Sequence, residues 1–305
     1  MRNRTGEAKV KKDVYQKITD TIVTFLEQGV RPWQKPWSAP HGEGRITRPL
    51  RANGLPYQGI NVLMLWSAAL EMGYGSATWM TFRQALAVGG NVRKGETGTL
   101  VVYADRIIRT ETNEQGEEAE HAIPFMNGYT VFNVEQIDGL PDQYRDAPQA
   151  PLRPVERIEL AEAFFKAAAV DVVHGGGKAF YSPLVDRVHM PAIEFFRDAL
   201  SYYAVLGHES IHWTRHPSRL AREFGRKRFG DEGYAMEELV AELGAAFLLA
   251  DLGLTPEVRE DHAAYVASWI KVLKDDKRAI FTAASHAQRA ADFLHGLQPN
   301  EARAA

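Results

Sequence analysis

In the stretch "VLGHESIHWT", Val205 to Thr214, two histidines, His208 and His212, stand four residues apart with Glu209 beside the first. On an α-helix that spacing puts both imidazoles on one face, one turn apart, where they can reach a single cation. Glu209 falls in a neighbouring sector, beside the cation but outside its coordination positions. The chemistry implied is hydrolysis: two nitrogen ligands, a metal-bound water, and a carboxylate to take its proton.

A hydrolytic zinc site needs a third protein ligand and leaves the fourth position to water. The run "YAMEELVAELGAAFLLADLG", Tyr234 to Gly253, supplies the candidates. Carboxylates in the middle of an apolar helix are costly to bury unless paired or metal-bound. Glu238 is assigned as the third ligand, because the gap from His208 allows a turn and an antiparallel helix. Glu237, about 100° away around the helix, is its rival. Glu242 is expected to accept the other ring N–H of a ligand histidine and so fix its tautomer. One Zn2+ per chain is the expected cofactor, and Mn2+ suits the same donors. Tyr234 and His216 are candidates to steady an oxyanion, and each also reads as an ordinary surface residue. Two histidines with an adjacent glutamate make the arrangement of zincin peptidases, and the later glutamate pair strengthens that reading.

The elements that must hold these residues are legible from periodicity. "MPAIEFFRDALSYYAVLGHESIHWTRH" carries apolar residues at helical spacing, with Pro191 suited to the start and Pro217 to the stop. Residues 12–29 read as an amphipathic helix with Val14, Ile18, Ile22 and Phe25 on one face. Residues 31–59 are rich in Pro and Gly and read as loop. Helices are expected at about 60–72 and from a Thr78 cap to the stop at Gly89 and Gly90. Strands are expected at 99–108 and 123–137, separated by the acidic tip "RTETNEQGEEAEH". Further helices are expected at 155–169, 256–274 and 276–295, with two short strands in "AFYSPLVDRVHMP". The fold class is therefore α+β. Residues 1–140 form an N-terminal α+β domain, 141–154 a proline-rich linker, and 155–305 a mainly helical metal-binding domain with a small sheet.

The chain has no cysteine, which excludes disulfides, thiolate metal sites and thiol nucleophiles. Its polar, basic start lacks the apolar core of a signal peptide, and no run reaches the length of a membrane span. A cytoplasmic protein with no membrane partner is expected. The net charge of −3 conceals a split: residues 1–109 hold 16 basic and 8 acidic side chains, a net of +8, against −11 in the remainder. That asymmetry points to an anionic partner for the first half.

Cations and aromatics interleave there at Arg31, Trp33, Lys35, Trp37, Arg51, Asn53 and Tyr57, and again at Trp79, Arg83, Arg93 and Lys94. Single-stranded DNA binds such a mixture, with cations tracking phosphates and aromatic faces stacking on unpaired bases. The competing reading makes the tryptophans core residues and the charges a solvated face. It is preferred for Trp66 and Phe82 and evenly balanced for Trp33 and Trp37.

Both halves resemble one family. "RPWQKPW", "RANGLPYQGINVLMLW", "WMTFRQALAVGGNVRKGETGTLVVY" and "FNVEQIDGL" are similar, in that order, to the N-terminal domain of ArdC-type antirestriction proteins, which plasmid TraC primases share. "HESIHWT" followed by "EELVAELGAAFLLADLG" resembles the zincin-like metallopeptidase domain that follows it. The resemblance implies a protein of a plasmid or other mobile element that binds single-stranded DNA and shields incoming DNA from restriction. It also implies a zinc site of His208, His212 and Glu238, with Glu209 as base. The expected reading joins the DNA-binding half to a metallopeptidase whose substrate is an unknown host protein. The alternative is a non-catalytic single-strand-binding protector whose metal site is structural.

Overall fold

The computed structural model describes residues 13–33, 47–112, 118–144, 154–225, 231–254 and 263–299. Helix α1 (Val14–Glu27) begins where the Asp13 carboxylate accepts the Tyr15 and Gln16 amides, and buries Ile18, Ile22, Val23 and Leu26. Strand β1 (Leu50–Arg51) leads into α2 (Ile60–Met72), whose apolar residues surround its axis because it lies deep in the molecule. Strand β2 (Thr78–Met80) takes the stretch expected to open a helix. The cap falls three residues later, at Thr81. Its side chain and that of Gln84 form a reciprocal capping box for α3 (Phe82–Ala87). On this short helix Phe82 is 49% exposed, against its expected place in the core.

After β3 (Asn91–Val92) comes a long antiparallel hairpin of β4 (Thr99–Thr112) and β5 (Glu118–Asn133). Its register runs from Thr99 opposite Val131 to Thr112 opposite Glu118, so most of the expected acidic tip is strand. The ladder satisfies the backbone whatever the side chains, and that carries pairing through a polar stretch. The four-stranded sheet has the order β1-β2-β5-β4, and β3 pairs with β6 (Ile137–Asp138). A small second core of Met80, Ala85, Val134, Ile137 and Leu140 lies beneath α3.

Helix α4 (Pro154–Ala168) precedes a three-stranded sheet of β7 (Val172–His174), β8 (Phe180–Ser182) and β9 (Arg187–Met190), with β8 at one edge. The two short strands expected here are β8 and β9, and β7 was not foreseen. Helix α5 (Ala199–Trp213) begins eight residues after Pro191, because Asp198 accepts the Ser201 amide and hydroxyl and so sets the cap. Helices α6 (Glu232–Asp251), α7 (Ala263–Asp275) and α8 (Ala279–Gly296) complete the described chain. α6 is buried along nearly its whole length, packed by α5, α7 and α8.

One continuous apolar core runs through both halves of the sequence. Trp33 meets Trp269 of α7 with ring centroids 6.2 Å apart, and Trp66 meets Phe247 of α6 at 5.9 Å. Arg48, buried, spans to α8 and α6 through hydrogen bonds to Gln288 (2.8 Å) and Asp251 (3.0 Å). No helix among the described residues is long and apolar enough to cross a membrane.

Candidate metal centre

Helices α5 and α6 approach closely where Gly244 faces Ile211: a Cβ on Gly244 would stand 2.9 Å from the isoleucine Cγ2. That approach brings the His208–His212 face of α5 onto the acidic turn of α6. The Glu238 carboxylate lies 3.7 Å from His208 Nε2 and 3.5 Å from His212 Nε2. Among the described residues, one donor of each of these three converges to within 4.8 Å of the others. A tetrahedral ion about 2 Å from each donor holds its ligands roughly 3.3 Å apart, so the set fits a small divalent cation with little adjustment. Glu238, not Glu237, is the carboxylate that faces both rings.

Glu237, one residue back on α6, points to the far side of His212. It accepts from His212 Nδ1 at 3.1 Å, which directs Nε2 towards Glu238. At His212 the contact expected of Glu242 is thus made by Glu237; Glu242 is buried one turn along α6 from Glu238. Arg222 grips Glu237 through Nε and Nη2, each at 2.8 Å, and also donates to Thr214 Oγ1 (3.1 Å) and the Ile211 carbonyl (3.0 Å). Nothing in "SRLAREFGRKRFG" marks this arginine out from its basic neighbours, and sequence reasoning missed it.

The electrostatics favour a cation. Burial alone would lower the His212 imidazole, but Glu238 and Glu237 outweigh it and raise the group to about 10. Burial pushes the Glu237 carboxyl up, yet Arg222 and then His212 bring it down to about 2. Glu238 lies below the ordinary carboxylate range: burial opposes the shift, and the two histidines overcome it. With Glu237 balanced by Arg222, the charge of Glu238 stands against two imidazoles that are neutral as metal ligands, and a divalent ion supplies the positive charge.

Glu209, on α5, is not part of the converging set. Its Oε2 accepts the Tyr181 amide of edge strand β8 at 3.0 Å. Beyond it Tyr181 Oη donates to Asp186 (2.9 Å), which Arg219 also holds, with the guanidinium 3.8 Å over the Trp213 ring. Of the two oxyanion candidates, His216 turns to Ser218 and Asp186. Tyr234 contacts the Tyr265 hydroxyl at 3.1 Å, and its own hydroxyl is pushed well above its ordinary range by burial, by Tyr265 and by the charge of Glu238.

Comparison with known proteins agrees with this geometry. Residues 12–132 match the family model for the N-terminal domain of anti-restriction factor ArdC, and residues 159–286 match that for a zincin-like metallopeptidase. The metal-free crystal structure of antirestriction protein ArdC from plasmid R388 is 48% identical, with a TM-score of 0.78, and the match covers 93% of this chain and 97% of that one. The chain belongs to the ArdC family of antirestriction proteins.

The Mn(II)-bound structure of the same ArdC is also similar (45% identity, TM-score 0.76, covering 94% and 99%), so the family fold accepts a divalent metal. An uncharacterised protein of Sinorhizobium fredii, y4eC, is 44% identical over 95% of this chain and 94% of its own. Two DNA primases TraC of Escherichia coli are 38% and 36% identical over nearly the whole chain, which spans only 28% and 20% of their lengths.

The residues chosen for DNA in this ArdC-family chain divide by burial. Arg51, Asn53, Arg83 and Lys94 are exposed and Arg31 half-buried. Arg93 is exposed but shared with Glu96 (2.7 Å) and Asp138 (3.7 Å). Trp33 and Trp79 are 0% and 1% exposed, the first against Trp269 and the second edge-on to Tyr74. Neither offers a free face to a base, and the stacking role expected of them is withdrawn. Their large apolar rings gain more from the core than from a wet surface. Tyr57 is buried at the floor of a cleft. Lys35 and Trp37 lie outside the described residues.

Proposed function

We propose that this chain is a two-part antirestriction protein, with residues 1–140 binding single-stranded DNA and residues 155–305 carrying a zinc-dependent peptidase site. The observation that supports it best is the convergence of His208, His212 and Glu238 with Glu209 held beside them. A bound cation supplies the positive charge that polarises a peptide carbonyl and makes water acidic. Glu209 serves as the general base: the Tyr181 amide holds one carboxylate oxygen, and the other receives a proton. Glu237 keeps His212 in the tautomer that presents Nε2, and Arg222 keeps Glu237 in place. The DNA reading is supported by the +8 charge of residues 1–109 and by the exposed cations Arg51, Arg83 and Lys94.

A structural metal is the second reading, and one observation favours it: His208, His212 and Glu238 are each less than a tenth exposed, as in closed sites. Metal analysis of the full chain, with His208→Ala and Glu238→Gln beside it, tests the ligand set. About one zinc per parent chain and none in either variant is the expected result; full occupancy in Glu238→Gln removes the third ligand. Cleavage of a peptide library by the loaded parent but not by Glu209→Gln supports the peptidase, and no cleavage by the parent leaves the structural reading.

A further inference from the structure

Between the turn after β1, helix α3 and strand β5 lies a cleft of about 440 Å3, remote in sequence from the metal ligands. That volume falls within the range of small-molecule sites, roughly 300–1,000 Å3. Its walls include three tyrosines (Tyr57, Tyr129 and Tyr144), two amides (Asn53 and Gln84) and one cation (Arg51), and no lining residue is acidic.

The polar groups are set in advance. Gln84 Oε1 accepts from the Thr81 amide at 2.8 Å and from the Thr81 hydroxyl at 3.0 Å, so the capping box fixes which end is oxygen and leaves Nε2 as donor. Asn53 Oδ1 accepts the Leu55 amide at 3.2 Å, which likewise leaves its NH2 as donor. The turn carrying Asn53 is closed by the Gly54 amide on the Arg51 carbonyl (2.9 Å), with Gly54 at φ +80, a conformation that glycine adopts without strain. The Arg51 guanidinium stands 5.4 Å from the Tyr57 ring centroid, so the floor is an aromatic face capped by a cation. Tyr129 is 38% exposed and offers ring surface at the mouth.

Aromatic faces, oriented amide donors and a single arginine form the donor set for an unpaired nucleobase. Tyr129 and Tyr144, the two rings with exposed surface, stack on it, while the buried Tyr57 ring seats the arginine; the amides meet its carbonyl and ring-nitrogen acceptors, and the arginine meets the adjoining phosphate. One cation is too few for a groove that holds phosphates alone. We infer that this cleft receives one unstacked nucleobase of a single DNA strand, so that binding by residues 1–140 has a base-dependent component besides the charge-dependent one. The inference rests on the single-strand reading above and gives it a location.

The test uses the full chain and two 20-nucleotide probes, oligothymidylate and an abasic strand of equal length, followed by fluorescence anisotropy. The parent should bind oligothymidylate more tightly than the abasic strand. Tyr129→Ala should weaken oligothymidylate about tenfold or more and leave the abasic strand little changed, whereas Tyr129→Phe should bind as the parent does. A 5-bromouracil strand irradiated on the parent protein should crosslink to Tyr129 or Tyr144, a readout independent of how the variants fold. Equal affinity of the parent for both strands overturns the inference. So does crosslinking confined to other residues, or full thymidylate affinity in a folded Tyr129→Ala. A parent that binds neither strand ends the single-strand reading itself, and the inference with it.

Discussion

Arg222 holds Glu237 in a two-point grip, with both N···O distances at 2.8 Å, at a position where both side chains are buried. Through Glu237 the grip reaches His212 and hence the cation site. An arginine that touches no ligand donor therefore governs the orientation of one. The planar guanidinium suits this, because its two N–H vectors match the two carboxylate oxygens.

Replacing Glu237 with Gln should weaken binding of zinc or Mn(II) about 10- to 100-fold, the usual cost of losing a partner behind a ligand histidine. Arg222→Lys should fall in the same range, since an ammonium cannot reproduce the fork. Isothermal titration with each metal measures both. An unchanged affinity in Glu237→Gln would show that His212 is oriented by its packing alone.

The same pair makes the fold acid-sensitive. The Glu237 carboxyl is held down from an ordinary value near 4.5 to about 2 by Arg222 and His212 against its burial. A depressed carboxyl contributes stability that is complete above the unfolded-state value and is lost as pH falls through the folded-state one. Chelator-treated protein should therefore lose stability progressively between about pH 4.5 and 2. Denaturant midpoints across that range measure it, and Glu237→Gln should show a shallower decline than the parent.

Glu209 accepts the Tyr181 amide at the β8 edge and lies outside the converging set of His208, His212 and Glu238. Glu209→Gln keeps an oxygen to accept the Tyr181 amide, so metal content and unfolding temperature should match the parent. Removal of a general base typically costs about 10²–10⁴ in rate. If protection of incoming DNA requires proteolysis, this variant should bind single strands and protect poorly in a conjugation assay. Full protection by a metal-loaded Glu209→Gln would show that protection does not pass through cleavage.

Trp33 is fully buried against Trp269, so its replacement acts on the core. Trp33→Ala should lose about 3–5 kcal/mol of stability, as a large cavity does. Under conditions where it remains folded, its affinity for single-stranded DNA should stay close to that of the parent. Urea unfolding and anisotropy distinguish the two effects. A stable variant with weakened DNA binding would restore the stacking role.

What the sequence determined by itself lies within single elements. The four-residue step from His208 to His212 places two imidazoles on one helical face wherever that helix packs, and the thirty-residue step from His208 to Glu238 lets a second, acidic helix come within reach. The order of motifs in both halves was likewise enough to indicate the family. Tertiary structure decided everything that depends on how one element is turned against another. Glu237 and Glu238 are adjacent in the chain and about 100° apart around α6. The close approach of α5 at Gly244 turns Glu238 to both rings and Glu237 to the back of His212. Arg222 acquires its role only because its chain segment folds back onto that same turn. Trp33 reads equally well as core or as surface, and Trp79 is expected to stack on bases, since an aromatic ring suits either setting; burial against Trp269 and Tyr74 places both in the core. A helix dictates its own faces, whereas which neighbour each face meets is fixed by packing between segments far apart in sequence.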